Sequence, residues 1–248
     1  MSLLRGCARF VWLGVALGLT AGLFAGCTIP IPAVEPLATI EPVEQVRVLE
    51  TEGADRARIR LRLVSDALAV RGGVQPPVLL RGQFRYNVQQ WEPNIDQTTE
   101  EGQTRLTVSQ GLGSQIPIGQ SDTYNNAWDI ALAPSIPINL GIDMGSGDAN
   151  LALGGLSLTD LSVTVGSTDM TLGFDAPNPE AMGLLRLTSG TGSFTATGLG
   201  NANFDRLSLI GGAGRVDLDF SGALRRSAVV DLKAGAGRIT LRVPDSVG

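Results

Sequence analysis

Histidine is absent from the 248 residues, and lysine occurs once, at Lys233. The missing imidazole removes the commonest general base and the commonest metal ligand, so catalysis would have to run on carboxylates, hydroxyls or that single amine. Aromatic residues make up 5% of the chain and cysteine is confined to Cys7 and Cys27, which leaves no disulfide framework to hold a small loop-rich fold. No phosphate-cradling glycine loop, thiol site or nucleophile triad is present. No cofactor or metal is expected.

What is there begins with a targeting pattern. Arg5 and Arg9 precede an uncharged run from Phe10 to Gly26, which is 17 residues long with seven positions alanine or glycine. A spanning helix needs about 20 apolar residues, so the run reads as a secretion signal covering residues 1–26. Leu23-Phe24-Ala25-Gly26-Cys27 resembles the lipobox of bacterial lipoproteins, although Leu is usual where Phe24 stands. That resemblance implies cleavage before Cys27 and two or three acyl chains on it, each buried CH₂ contributing ~0.8 kcal/mol to membrane attachment. The chain is thus expected outside the cytoplasm and lipid-anchored, in the outer membrane if the host is diderm, since Thr28 follows the cysteine where the common retention signal is Asp.

Loss of residues 1–26 removes two arginines and no acid, taking the formal charge from −5 to −7. Such a chain carries no electrostatic footprint for nucleic acid. Residues 27–46 hold Pro30, Pro32, Pro36 and Pro42 with Glu35, Glu41 and Glu44. Proline-rich acidic segments stay extended, so this stretch is read as a stalk.

Self-similarity dominates the second half, where residues 141–248 carry 19 of the 32 glycines. Gly145-Ser146-Gly147, Gly166-Ser167-Thr168, Gly190-Thr191-Gly192, Gly212-Ala213-Gly214 and Gly235-Ala236-Gly237 align, with first glycines 21, 24, 22 and 23 residues apart. Two, four and six residues beyond each triplet stand mostly apolar side chains, such as Met170, Leu172 and Phe174 or Val216, Leu218 and Phe220. Three and five residues before stand others, such as Val163 and Leu161 or Leu209 and Leu207. Period-two alternation on both sides of a glycine corner predicts strand, corner, strand. A coil of that length cannot bury its own apolar face, so coils must stack. The expected fold is all-β: a single-stack β-solenoid of about 22-residue coils, five of them over 137–248. Second corners are expected at Gly154-Gly155, Pro177-Asn178-Pro179, Gly198-Leu199-Gly200 and Gly222.

An open stack must protect its last edge. The rise in charge over Arg225, Arg226, Asp231, Lys233, Arg238, Arg242 and Asp245 is read as that protection.

Residues 47–136 form a smaller β region, expected to supply opening coils or a cap. Strands are predicted at 44–50, 57–66, 78–88, 104–109 and 127–132, with 92–103 and 111–126 as loops. In the second of these strands Arg58, Arg60 and Arg62 alternate with Ile59, Leu61 and Leu63. Together with Arg81 and Arg85 they offer an arginine face that could take an acidic cell-surface polymer or glycan, or pair with acids of the same chain.

The succession Leu80-Arg81-Gly82-Gln83-Phe84-Arg85-Tyr86-Asn87, Trp91-Glu92-Pro93, Asn126-Ala127-Trp128-Asp129-Ile130, Pro137-Ile138-Asn139-Leu140 and the Gly-x-Gly coils resembles the toast-rack family of bacterial envelope proteins. The resemblance covers roughly residues 45–248 and departs at Thr168, where a glycine is usual. It implies a stack of β coils and brings no catalytic residues; related repeats serve as sensing or interaction modules of envelope-stress regulators.

Other chemistry is weaker. Asp217 and Asp219 flank Leu218 like the paired carboxylates of polysaccharide-cleaving solenoids, with a solvated face near Arg215 and Arg238 as the plainer account; Asp143 and Asp148 are similar. Gly211-Gly212-Ala213-Gly214 invites comparison with calcium-binding coils, but Val216 stands where an aspartate is needed. Trp91, Trp128 and Tyr124 suggest either a sugar platform or buried aromatics. The expected role is a non-enzymatic envelope scaffold or interaction module, partnered by the membrane through its anchor and by an envelope protein or surface polymer.

Overall fold

The computed structural model describes residues 37–64, 67–111 and 123–245. The signal segment and Cys27 lie outside the described residues. Twelve strands are formed: β1 (Thr39–Glu50), β2 (Arg56–Leu63), β3 (Ala67–Gly72), β4 (Val78–Val88), β5 (Asn94–Glu100), β6 (Gln103–Ser109), β7 (Asn126–Leu132), β8 (Ile138–Ala152), β9 (Leu158–Gly173), β10 (Met182–Thr197), β11 (Phe204–Asp219) and β12 (Val229–Arg242). The described structure is all-β apart from short 3₁₀ turns at Gln89–Trp91 and Leu199–Ala202. β1 takes in Thr39 to Val46, the last part of the segment read as a stalk.

β8 to β12 are the five repeats, each pairing in parallel with the next. The glycine triplets do not interrupt the ladder; each coil is one long strand bent at its triplet, and the limbs before and after the bend form two walls around a shared core. Two constraints keep glycine there. A Cβ on Gly212 would stand 2.2 Å from the Gly190 carbonyl oxygen of the coil below, and Gly214 has φ +143. Side chains are excluded by close stacking at the first position and by backbone conformation at the third. Thr168 departs from the pattern, and the β9–β10 ladder skips between Ser167 and Met170. There the Asp169 carboxylate takes the place of a backbone carbonyl and accepts the Ser193 N–H at 2.8 Å.

The N-terminal strands extend both walls. The first limb of β8 pairs in parallel with β2 and its second limb with β3, so β2 and β3 make a further coil. β6 lies parallel outside β2, and β7 outside β3. Antiparallel strands close that end, β5 on β6 in one wall and β4 then β1 beyond β7 in the other. The result is an open stack ending at β1 and β5 on one side and at β12 on the other.

β5 occupies part of 92–103, which the sequence suggested was a loop. It is a polar edge strand with only alternate residues half-buried, so hydrophobic patterning is silent. The informative signal was Glu101-Gly102, whose φ values of +49 and +71 make the tight hairpin turn to β6. β3 also went unpredicted, being a six-residue strand rich in alanine.

One apolar core runs from Ala57 to Phe220 through every coil. At the corners opposite the glycine triplets, asparagines join successive coils. The fully buried Asn178 accepts the Leu158 N–H at 2.9 Å and donates to the carbonyls of Leu158 at 2.9 Å and Ala202 at 3.0 Å. Asn201 donates to Phe174 O at 2.9 Å and accepts the Ala223 N–H at 2.8 Å. Buried backbone groups that the turns leave unpaired are thereby satisfied.

Candidate functional site

Alternation on β2 buries Ala57, Ile59, Leu61 and Leu63 and turns Arg56, Arg58, Arg60 and Arg62 to solvent. The ladder sets the neighbours: Arg58 lies between Arg105 and Asn139, Arg60 between Thr107 and Gly141, Arg62 between Ser109 and Asp143. Pairing with acids of the same chain holds for Arg62, 3.5 Å from Asp143. Neither Arg58 nor Arg60 has an ion pair among the described residues, and Arg105 reaches only back to Glu100 at 3.4 Å. A Cβ on Gly141 would sit 3.6 Å from Arg60 Cγ, so the Arg60 stem lies over the glycine.

Arg81 and Arg85 do not join this cluster. They alternate outward on β4, which belongs to the other wall, so they lie on the opposite broad face. Arg85 stands at the rim of a depression of about 550 Å³ that also meets Asp129, Asp148 and Asp169. Its floor is low because Ala67, Ala69 and Ala127 occupy outward positions of β3 and β7. The depression was illegible in the sequence, since its residues come from strands as distant as β4 and β10.

The aromatic residues are core. Trp91, Trp128 and Tyr124 are 0%, 2% and 6% exposed, which rules out a sugar platform. Trp128 meets Phe84 edge-on with ring centroids 5.2 Å apart, and Trp91 meets Tyr124 at 5.7 Å. Burial and the nearby Glu92 push the Tyr86 hydroxyl above its ordinary pKa, where it accepts from Gln45 Nε2 at 2.9 Å.

Asp217 and Asp219 both line the outer face beside Thr240 and Arg242. The Ser221 N–H, 2.9 Å from Asp219 Oδ1, holds that carboxyl below the usual range, with further help from Arg242 at 3.3 Å. A general acid requires the opposite shift, so Asp219 could serve only as an ionised partner. A carboxyl depressed in the folded state contributes stability above the ordinary carboxylate range, which is lost as pH falls through the folded value. Acidification is therefore expected to loosen the junction of β11 and β12 before the rest of the stack. Hydrogen exchange of β12 amides at descending pH would reveal it, and Asp219→Asn should remove the dependence. Asp143 is committed to Arg62, while Asp148 lies in register with Asp169. Val216 is buried at 7% exposure, and among the described residues no group of three or more acids or cysteines could hold a metal ion. No described helix is long and apolar enough to cross a membrane.

Residues 40–195 match the N-terminal domain of toast_rack, DUF2154. The chain belongs to the toast-rack family. Its fold is shared by a "putative cell adhesion protein" from Clostridium sporogenes, 20% identical, with a TM-score of 0.66 over 82% of this chain and 99% of that one. A "putative adhesin" from Bacteroides fragilis is more distant, at 11% identity and a TM-score of 0.33 over 80% of this chain and 97% of that one. No curated protein matches the chain in sequence. The family match runs from β1 into β10, and the stretches that carry the resemblance, residues 80–87, the Trp128 strand and the Gly-x-Gly coils, lie on β4, β7 and β8 to β12.

Proposed function

We propose that this toast-rack protein is a non-enzymatic interaction module of the bacterial envelope, exported by residues 1–26 and held to a membrane through lipid on Cys27. Residues 27–38, the part of the expected stalk that precedes β1, would lift the folded part away from the bilayer, with 39–136 opening the stack and 137–248 forming its five coils. The observation that carries the interaction role is the pair Arg58 and Arg60, cations without acid partners on a stiff strand of an acidic protein. A guanidinium in that setting suits carboxylate or phosphate groups of an anionic surface polymer. Likeness of fold to the clostridial protein, whose name refers to cell adhesion, supports the same reading.

The test separates the two faces. Full-length protein carrying Arg58→Glu and Arg60→Glu is expected to lose at least tenfold of its retention on anionic cell-wall polymer, while Arg81→Glu with Arg85→Glu retains it. Equal retention by all three proteins would sink the arginine-face reading. Incorporation of labelled fatty acid, abolished by Cys27→Ser, tests the anchor separately.

A further inference from the structure

The two ends of the stack differ in what they leave uncovered. In β12 the inward side chains have a neighbour on one side only: Val230 is 40% exposed and Leu241 47%, whereas their partners in β11, Leu207 and Leu218, are 0% and 2%. With Phe204, Phe220 and Val243 they line an open apolar depression of about 650 Å³. Uncovered apolar ends of this kind mark an interaction surface.

Only part of the charge expected to protect this edge stays free to do so. Asp231 pairs with Arg206, Arg242 with Asp219 at 3.3 Å and Arg226 with Asp205 at 2.7 Å, all directed back into the stack. Arg225, Lys233 and Arg238 have no ion pair among the described residues. From 225 to 242 five basic side chains face a single acid, Asp231. The opposite end has the reverse balance: β1 and β5 carry Glu41, Glu44, Glu50, Asp96 and Glu100 against Arg47. Leu49 and Ile95 are only partly buried there.

Strand directions match as well. Through β4, β7 and β3, β1 runs parallel to the second limb of β12, and through β6 and β2, β5 runs antiparallel to its first limb. The second limb of β12 can therefore meet the free edge of β1, while the β5 wall, with three strands beyond β8 against four, stops one strand short of it. Pro42, which has no N–H to offer, confines pairing on β1 to Val43–Glu50.

We propose that copies of this chain associate head to tail, the β12 end of one seating on the β1 and β5 end of the next. A two-fold contact between β12 ends would set like charges against each other, whereas the heterologous contact pairs opposite ones. Heterologous contacts do not close on themselves unless the rotation returns to the start. Nine strands deep along the β1 wall, at ~4.8 Å per strand, the repeat would be ~43 Å.

The mature sequence has no cysteine besides Cys27, so introduced thiols report cleanly. The full-length chain carrying Val46→Cys and Thr240→Cys, treated in its membrane with a flexible bis-maleimide, is expected to give a ladder of dimer, trimer and higher species. Lys233→Glu with Arg238→Glu should abolish the ladder at least tenfold, and adding Glu44→Lys with Glu50→Lys should restore it, which a folding defect would not. A dimer formed by Thr240→Cys alone would overturn the proposal in favour of a two-fold contact. Absence of any crosslink between copies would overturn it outright.

Discussion

Replacing Asn178 by Leu is expected to lower unfolding stability by roughly 2–6 kcal/mol, because the buried Leu158 and Ala202 carbonyls lose their donor at ~1–3 kcal/mol each, while the Leu158 N–H keeps the Leu156 carbonyl at 3.1 Å. Asn178 is fully buried and spans three levels of the stack, from Leu158 to Ala202. Asp would keep the acceptor toward Leu158 N–H but lose both donated bonds, so Asn178→Asp should also destabilise, increasingly as the carboxyl ionises. Urea denaturation followed by intrinsic fluorescence would check this, since Trp91 and Trp128 are buried. A shift for Asn178→Leu below about 1 kcal/mol, the worth of one ordinary hydrogen bond, would show that water repairs the gap.

Gly214→Ala is the second large effect. Its φ of +143 is open to few residues with a side chain, and a Cβ there would lie 2.0 Å from the Gly192 carbonyl oxygen. The conformational strain alone is worth about 1–3 kcal/mol, and relieving the overlap must spread two coils, so a loss of ~3 kcal/mol or more is expected. Gly211→Ala is the internal control: its nearest neighbours would stand 3.8 Å away, an ordinary contact, and its cost should stay under ~1 kcal/mol. Equal costs at the two sites would mean that the triplets are kept for reasons other than stacking.

The repeat was legible because burial in a coil obeys period two and because close stacking leaves only glycine at fixed places; Met170, Leu172, Phe174 and their counterparts down to Val216 and Leu218 are inward as alternation required. Corners at Gly154-Gly155 and Leu199 were legible for the same reason. What escaped was set by pairing between distant segments. Nothing local says that β2 lies beside β8, or that Arg58 and Arg81 end on opposite faces. β5 escaped because a polar edge strand gains its stability from the neighbour's backbone. Asn178 was read as part of a proline corner, while its work is to satisfy the main chains of Leu158 and Ala202. Among the candidate site residues, Arg58 and Arg60 were found by alternation alone, whereas their lack of acid partners depended on Arg105 and Asn139 arriving beside the first and Thr107 and Gly141 beside the second.

The seating of β8 on β2 and β3, whose paired residues (Ala57 with Ile138, Ala67 with Asp148) stand 81 positions earlier in the chain, divides the molecule into two regimes of cooperativity. Each coil from β9 onward rests on its immediate predecessor, so that part behaves as a one-dimensional array able to fray level by level from β12. The levels from β1 to β8 are interleaved: β6 and β7 are built on β2 and β3 after β4 and β5 have already been made, and only the edge strands β1 and β5 can be withdrawn singly. Growth must therefore begin with a slow event that closes a long loop, after which each further coil finds its template already laid.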